Sequence, residues 1–251
     1  METTDDAFLG GRLRLWQPAH GFRTAVDALL LQAAVPVRAG EVVVDAGAGV
    51  GAAGLALAVR VPDCRVVLVE RDPQLAALAR RNAARNGLVR RVEVLEADLA
   101  DLPRRLAGRR IDHVMTNPPH LPPVRARAPA RHADAVIETL PLADWLAVLL
   151  RVLRPRGWLV MVHRADRWPD LARALAKGVG DLRLFPLWPR ADAPAARRLL
   201  LAARRGVRTP ARLLRGLVLH RADGGFTAEV EAVLRHAQAL PLCQPDPERV
   251  P

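Results

Sequence analysis

Two short stretches carry residues whose types and spacing could do chemistry. In Asp45-Ala46-Gly47-Ala48-Gly49-Val50-Gly51, alternate glycines let backbone approach a ligand closely. A helical pattern from Ala52 to Arg60 turns its N-terminal amides toward the same place. Glu70 follows 19 positions after Gly51, where a carboxylate can hydrogen-bond ribose hydroxyls. Gly47, Gly49 and Ala52 also satisfy the dinucleotide-binding pattern, so a nicotinamide or flavin enzyme stays open at this point. The second stretch is Met115-Thr116-Asn117-Pro118-Pro119-His120, where an apolar run stops abruptly. Asn117 offers a carbonyl acceptor and two amide donors, while the prolines fix φ and remove two backbone N–H groups. An asparagine carbonyl and a neighbouring backbone carbonyl can accept both hydrogens of an amino group and leave its lone pair pointing outward, a grip for a nucleophilic nitrogen. An Asn-Pro step is also an ordinary stop for a buried strand.

Elements that would position these residues alternate along the chain. Phe8 to Gln17 predicts a short hairpin around Gly10-Gly11, and Thr24 to Val35 a helix stopped by Pro36. Val42-Val43-Val44, Val66 to Val69, Val92 to Leu95 and Ile111 to Thr116 are the apolar runs expected of parallel strands. A helix that opens at Arg71-Asp72-Pro73 and ends near Asn86-Gly87 lies between the second and third. Helices over Leu142 to Leu153 and Trp168 to Lys177 flank a strand at Trp158 to Val162. Leu182 to Phe185, Arg198 to Ala203 and Leu217 to His220 read as further strands, the last ones antiparallel, before a helix from Thr227 to Ala239. The expected fold is α/β, with a seven-stranded, mostly parallel sheet and helices on both faces, and such sheets bind ligands at the carboxyl edge of their strands. Leu121 to Pro141, rich in proline and arginine, has no clear period and reads as a long functional loop.

Asp45 to Gly51, Glu70, Asp98 and Asn117 to His120 together resemble the ordered motifs of class I methyltransferases acting on amino nitrogens. Leu9-Gly10-Gly11, Gln17-Pro18, Asp27 to Leu31, Leu219-His220 and Gly225-Phe226-Thr227 extend the resemblance from about Phe8 to Ala239. They point to the small-domain group, which includes enzymes acting on an adenine beside a tRNA anticodon. The resemblance implies a Rossmann-like fold and S-adenosylmethionine as cofactor. It implies that Asp45 with the Gly47, Gly49 and Gly51 loop holds the methionine end, that Glu70, with Arg71 beside it, faces the ribose, and that Asp98 meets the adenine amine. Asp27 is a further candidate near the cofactor, although a helix-start carboxylate satisfying amides explains it equally well. Asn117 and Pro118, with Pro119 and His120, would form the acceptor site; His120 stands where the group usually carries Tyr or Phe to stack on the acceptor base. The implied activity is N-methylation of the exocyclic amine of a base in RNA, foremost adenine in tRNA. Guanine N2 in ribosomal RNA, a protein glutamine and a non-catalytic, cofactor-binding RNA-associated protein stand as alternatives.

Bulk properties agree with an RNA partner. The 251 residues carry a formal net charge of +12, and cations clustered beside a site gain affinity by displacing counterions from a phosphate backbone. Arg125, Arg127, Arg131 and His132 in the long loop, with Arg12, Arg14 and Arg23, are expected to flank the acceptor edge. Lys177 is the only lysine and Tyr is absent, a skew that dilutes the meaning of total charge. No apolar run approaches the ~20 residues of a membrane span, and the acidic start, Glu2, Asp5 and Asp6, is unlike a signal peptide. Cys64 and Cys243 lack metal-like spacing, so neither a metal site nor a disulfide framework is expected, and a cytoplasmic setting fits. The expected organisation is residues 1–40 as a hairpin and helix covering the cofactor site, 41–240 as the methyltransferase domain and 241–251 as a tail.

Overall fold

The computed structural model describes residues 1–20, 26–119 and 140–244. Strands β3 (Val42–Ala46), β4 (Arg65–Glu70), β5 (Val92–Glu96), β6 (His113–Thr116), β7 (Trp158–Arg164), β8 (Val179–Trp188) and β9 (Arg198–Arg205) form one sheet. Two-residue strands β10 (Arg212–Leu213) and β11 (Leu217–Val218) complete it. The order is β10-β8-β9-β7-β6-β3-β4-β5, with β11 also on β8. The sheet has nine strands where seven were expected: the expected runs match β3 to β9 and β11, β10 is added, and β10 and β11 share one edge of β8. Neighbours from β5 to β7 pair in parallel, whereas β9 runs antiparallel to both β7 and β8. The Leu217 strand, expected to be antiparallel, pairs parallel to β8, because the chain returns from β9 before laying down β10 and β11.

Side chains of the central strands alternate between two cores. Val43, Met115, Val160 and Val162 join one core with α1 (Val26–Ala34), α2 (Ala52–Arg60), α3 (Pro73–Arg85) and the last helix, α7 (Ala228–His236). Val44, Val114, Leu159 and Met161 join the other with α4 (Leu102–Arg105), α5 (Leu142–Val152) and α6 (Trp168–Ala174). This period of two explains why these strands read as unbroken apolar runs: both faces are covered.

The hairpin is longer than expected, β1 (Thr3–Phe8) against β2 (Leu13–Pro18). Its acidic first strand is held by side chains: Arg14 and Arg85 reach Asp5 at 2.9 and 2.7 Å, and Gln17 donates to Asp6 at 2.9 Å. Two asparagines, Asn82 of α3 and Asn86 at its C-terminal cap, fasten β2 by backbone mimicry. Asn82 accepts from Trp16 N–H and donates to Trp16 O, and Asn86 does the same with Arg14. A second donor hydrogen of Asn82 reaches Val50 O at 3.0 Å, so this fully buried amide ties the hairpin to the glycine loop. Asn86 closes α3 at the amino edge of the sheet, which places Arg14 away from Asn117. Arg12 is spent on the carbonyls of Leu9 and Arg235. The expectation that Arg12 and Arg14 flank the acceptor edge is corrected accordingly; Arg23 lies outside the described residues.

Candidate functional site

The carboxyl ends of β3, β4 and β6 bring the glycine loop, Glu70 and Asn117 to one edge. Ala46 of β3 is in register with Thr116 of β6 and with Val69 of β4, so Gly47, Asn117 and Glu70 each follow at the same level. Gly47, Gly49 and Gly51 have φ of 74°, 56° and 87°, left-handed values that L side chains rarely adopt. The loop amides serve the loop first: Gly47 and Ala48 donate to Val69 O, Gly51 donates to Ala48 O, and Gly49 donates to Glu70 Oε2 at 2.8 Å. Asp72 N–H binds the other Glu70 oxygen at 2.9 Å. Two amides thus aim the Glu70 carboxylate and leave lone pairs on both oxygens, as a hydroxyl-binding carboxylate requires. Arg71 is exposed next to it.

Asp45 is buried beneath the loop and accepts from Gly54 N–H at 2.9 Å, joining the end of β3 to the first turn of α2. Burial raises its carboxyl to about 7, with the nearby Glu70 charge adding and the Gly54 amide opposing. Gly54 was not legible as part of the site. It looks like one residue of an alanine-rich helix, yet a Cβ there would lie 2.2 Å from Leu68 Cδ2 and 3.1 Å from Asp45 Oδ2. Only glycine lets α2 come this close to β4 and to the carboxyl.

Asn117 lies at the end of β6, and its Oδ1 is buried with no hydrogen-bond partner among the described residues. Buried carbonyls are nearly always paired, and this orphan lies at the edge of a parallel sheet where an acceptor can meet a ligand's donor. Pro118 is buried and Pro119 half-buried after it. Thr116 beneath them donates to Ala46 O at 2.8 Å and accepts from Trp145 Nε1 at 3.2 Å. Trp145 of α5 also covers Gly47, where an added Cβ would meet its ring at 3.3 Å. The sequence offered no signal for Trp145 beyond its place in an apolar helical stripe.

Two further expected residues make contacts of their own, Asp98 on the same carboxyl edge, two positions after the Glu70–Glu96 register pair. Asp98 is exposed and accepts from Ala100 N–H at 2.8 Å, capping a short turn after β5. Asp27, in the first turn of α1, is engaged by Arg198 at 3.0 Å. His120, Arg125, Arg127, Arg131 and His132 lie outside the described residues. Cys64 and Cys243 are free thiols, and burial pushes the Cys243 thiol up to about 12. No helix among the described residues is long and apolar enough to cross a membrane.

Comparison with known proteins gives this edge its chemistry. The family described as methyltransferase small domain matches residues 24–182. A tRNA1(Val) (adenine(37)-N6)-methyltransferase of Porphyromonas gingivalis is 34% identical over 198 residues, covering 72% of this chain and 76% of the relative. A release factor glutamine methyltransferase of Salmonella typhimurium is 34% identical over 131 residues, 48% of this chain and 46% of that one. Among solved structures, a protein of Agrobacterium tumefaciens described as a predicted O-methyltransferase superposes with a TM-score of 0.71. It is 27% identical and covers 85% of this chain and 97% of the other. The chain belongs to the methyltransferase small domain family, and it is a methyltransferase with S-adenosylmethionine as methyl donor.

Proposed function

We propose that this family member transfers the methyl group to the exocyclic amine of adenine in tRNA. The buried Oδ1 of Asn117 at the end of β6, without a partner among the described residues, carries this reading. An amine presents two hydrogens, one for Asn117 Oδ1 and one for the backbone carbonyl of Pro118, whereas a hydroxyl acceptor has only one to give. With both hydrogens held, the nitrogen lone pair is directed outward rather than into the ring, which favours in-line attack. Bound S-adenosylmethionine supplies an electrophilic methyl carbon whose sulfonium sulfur departs as a neutral thioether. Glu70 and the open glycine loop would hold its ribose side, Asp45 would keep loop and helix in position, and Asn117 with Pro118 would hold the acceptor. The proton released on transfer goes to water, so no buried base is needed. Residues 1–40 would cover the cofactor site, with 41–240 as the methyltransferase domain and 241–251 as a tail. Arg125, Arg127 and Arg131 would meet phosphates, and His120 would lie against the base. The enzyme would work in the cytoplasm, where tRNA is found.

Adenine is preferred because the Porphyromonas relative, named for adenine-37 of a tRNA, covers most of both chains. The glutamine methyltransferases match a shorter part. Nucleoside mass spectrometry of RNA from cells with and without the gene tests this. N6-methyladenosine lost from tRNA is the expected result. Loss of N2-methylguanosine or, in parallel mass spectra of release-factor peptides, of glutamine methylation would replace adenine as the acceptor; cofactor binding with no transfer to any of the three would overturn the catalytic reading.

A further inference from the structure

We infer that a cavity beside the acceptor edge takes up a nucleotide of the RNA next to the one being methylated; this rests on the RNA reading above. The cavity, about 470 Å³, lies between the β8–β9 connection and the turn that leads from β11 into α7. Its size falls within the roughly 300–1,000 Å³ of small-ligand pockets. β8 ends at Trp188 and β9 begins at Arg198, which pairs with Arg164 at the end of β7, so residues 189–197 leave from the carboxyl edge that also carries Asn117. β9 and β8 are two and three strands from β6. At about 4.8 Å per strand the lateral offset from the acceptor grip is on the order of 10–14 Å, and β9 begins about two residues, roughly 7 Å, beyond the level of Asn117, a separation that a neighbouring nucleotide of the same RNA can span.

The lining matches a base and a phosphate. Pro189 and Pro194 give short apolar walls, and His220 gives a ring. One face of that ring is stacked on Phe226, with centroids 4.8 Å apart and planes at 24°, so what it offers the cavity is its other face or its edge. Nδ1 lies 3.2 Å from Gly224 O and His220 N–H donates to Pro189 O, which fixes the ring before any ligand arrives. A pre-set ring is what base stacking needs, because little side-chain entropy is lost on binding. Arg190 and Asp192 both line the cavity and pair with each other at 3.3 Å, and Arg197 adds a guanidinium with no carboxylate partner among the described residues. The net charge of the lining is therefore positive, and an exposed guanidinium in such a place fits a phosphate.

The Leu219-His220 and Gly225-Phe226-Thr227 segments thereby acquire a role. They are the two sides of a small antiparallel bridge, His220 to Phe226, that carries the stacking surface. Steady-state methylation of a tRNA transcript by the full chain tests the assignment, with S-adenosylhomocysteine affinity measured in parallel. His220→Ala is expected to raise KM for tRNA about five- to tenfold with kcat and S-adenosylhomocysteine affinity unchanged, and His220→Phe to restore it. Arg197→Gln, a surface change, is expected to raise KM and to lower the slope of log affinity against log salt by about one. A wild-type enzyme that methylates tRNA, with KM and salt slope unmoved by His220→Ala and Arg197→Gln, would overturn the pocket and leave the RNA reading standing. A wild-type enzyme that methylates no RNA overturns the reading and the pocket with it.

Discussion

The two ends of β6 differ in how most of their polar groups are paired, although His113 Nδ1 at the start also has no partner among the described residues. At its start, Asp112 accepts from Val42 N–H at 3.0 Å and pairs with Arg110 at 2.9 Å and Arg154 at 2.6 Å, and His113 Nε2 meets Glu41 at 2.9 Å. Burial raises the Asp112 carboxyl, but the Val42 amide and the two guanidiniums outweigh it and hold it below the usual range. At the other end of the strand, Asn117 Oδ1 is buried without a partner among the described residues. One end places its polar groups to hold strands together. The other leaves an acceptor unpaired at the ligand edge, a stability cost of about 1–3 kcal/mol that a ligand's donor would remove.

Asn117→Ala is the sharpest way to break this comparison. It should lower methyl transfer a hundred- to thousandfold, about 3–4 kcal/mol of transition-state stabilisation, while S-adenosylhomocysteine affinity stays close to wild type and urea unfolding shows equal or greater stability, because the unpaired acceptor is gone. Full transfer by a folded variant would remove Asn117 from the chemistry. Asp112→Ala should do the reverse, costing about 2–3 kcal/mol in urea unfolding by stranding the Val42 amide, with kcat per folded molecule retained. Lost kcat at unchanged stability would sink the contrast.

Asp45 sharpens it in pH. Its buried carboxyl keeps its proton up to about pH 7, whereas in the unfolded chain it titrates near about pH 4, so folding takes up a proton between these values. Stability therefore falls as pH rises through that window, and the loss persists above it. Compared with wild type across pH 4–8, Asp45→Asn should remove a decline on the order of 4 kcal/mol. Parallel pH profiles for the two proteins would show that Asp45 is ionised throughout. Smallest of the four is Gly54→Ala. The 2.2 Å approach to Leu68 must be relieved at about 1–2 kcal/mol, read as a lower Tm, and an unshifted Tm would show that α2 has room to retreat.

How much of this could be read from the residues follows from how each is held. Val42–Val44 and Val66–Val69 declared themselves because strands covered on both faces need unbroken apolar runs, and the glycine loop because three alternate glycines in seven residues have few other uses. Asn117 was visible because the prolines after it stop a strand. Gly54 was not, since its importance lies in contacts with Leu68 and Asp45, nine and more positions away. Asp98 shows the same limit from the other side: a carboxylate two positions before an amide caps a turn whatever motif it belongs to. Arg12 and Arg14 were read as charge, but their folded positions depend on Asn86 and Arg235, which no local pattern reveals. The first strand of the hairpin escaped notice because Thr3 to Asp6 is held by distant cations and an amide rather than by apolar alternation.

The hydrogen-bonded chain from Trp145 through Thr116 to Ala46 joins two adjacent strand ends at one level. It works as a length gauge. Donor loop and acceptor grip each begin one residue beyond the Ala46–Thr116 pair, so their separation is set by strand register and not by either loop's own flexibility. A slip of one residue would displace Asn117 by about 3.3 Å and turn its side chain to the opposite face, further than in-line transfer tolerates. The loops around this edge can change what is methylated, while the distance over which the methyl travels belongs to the sheet.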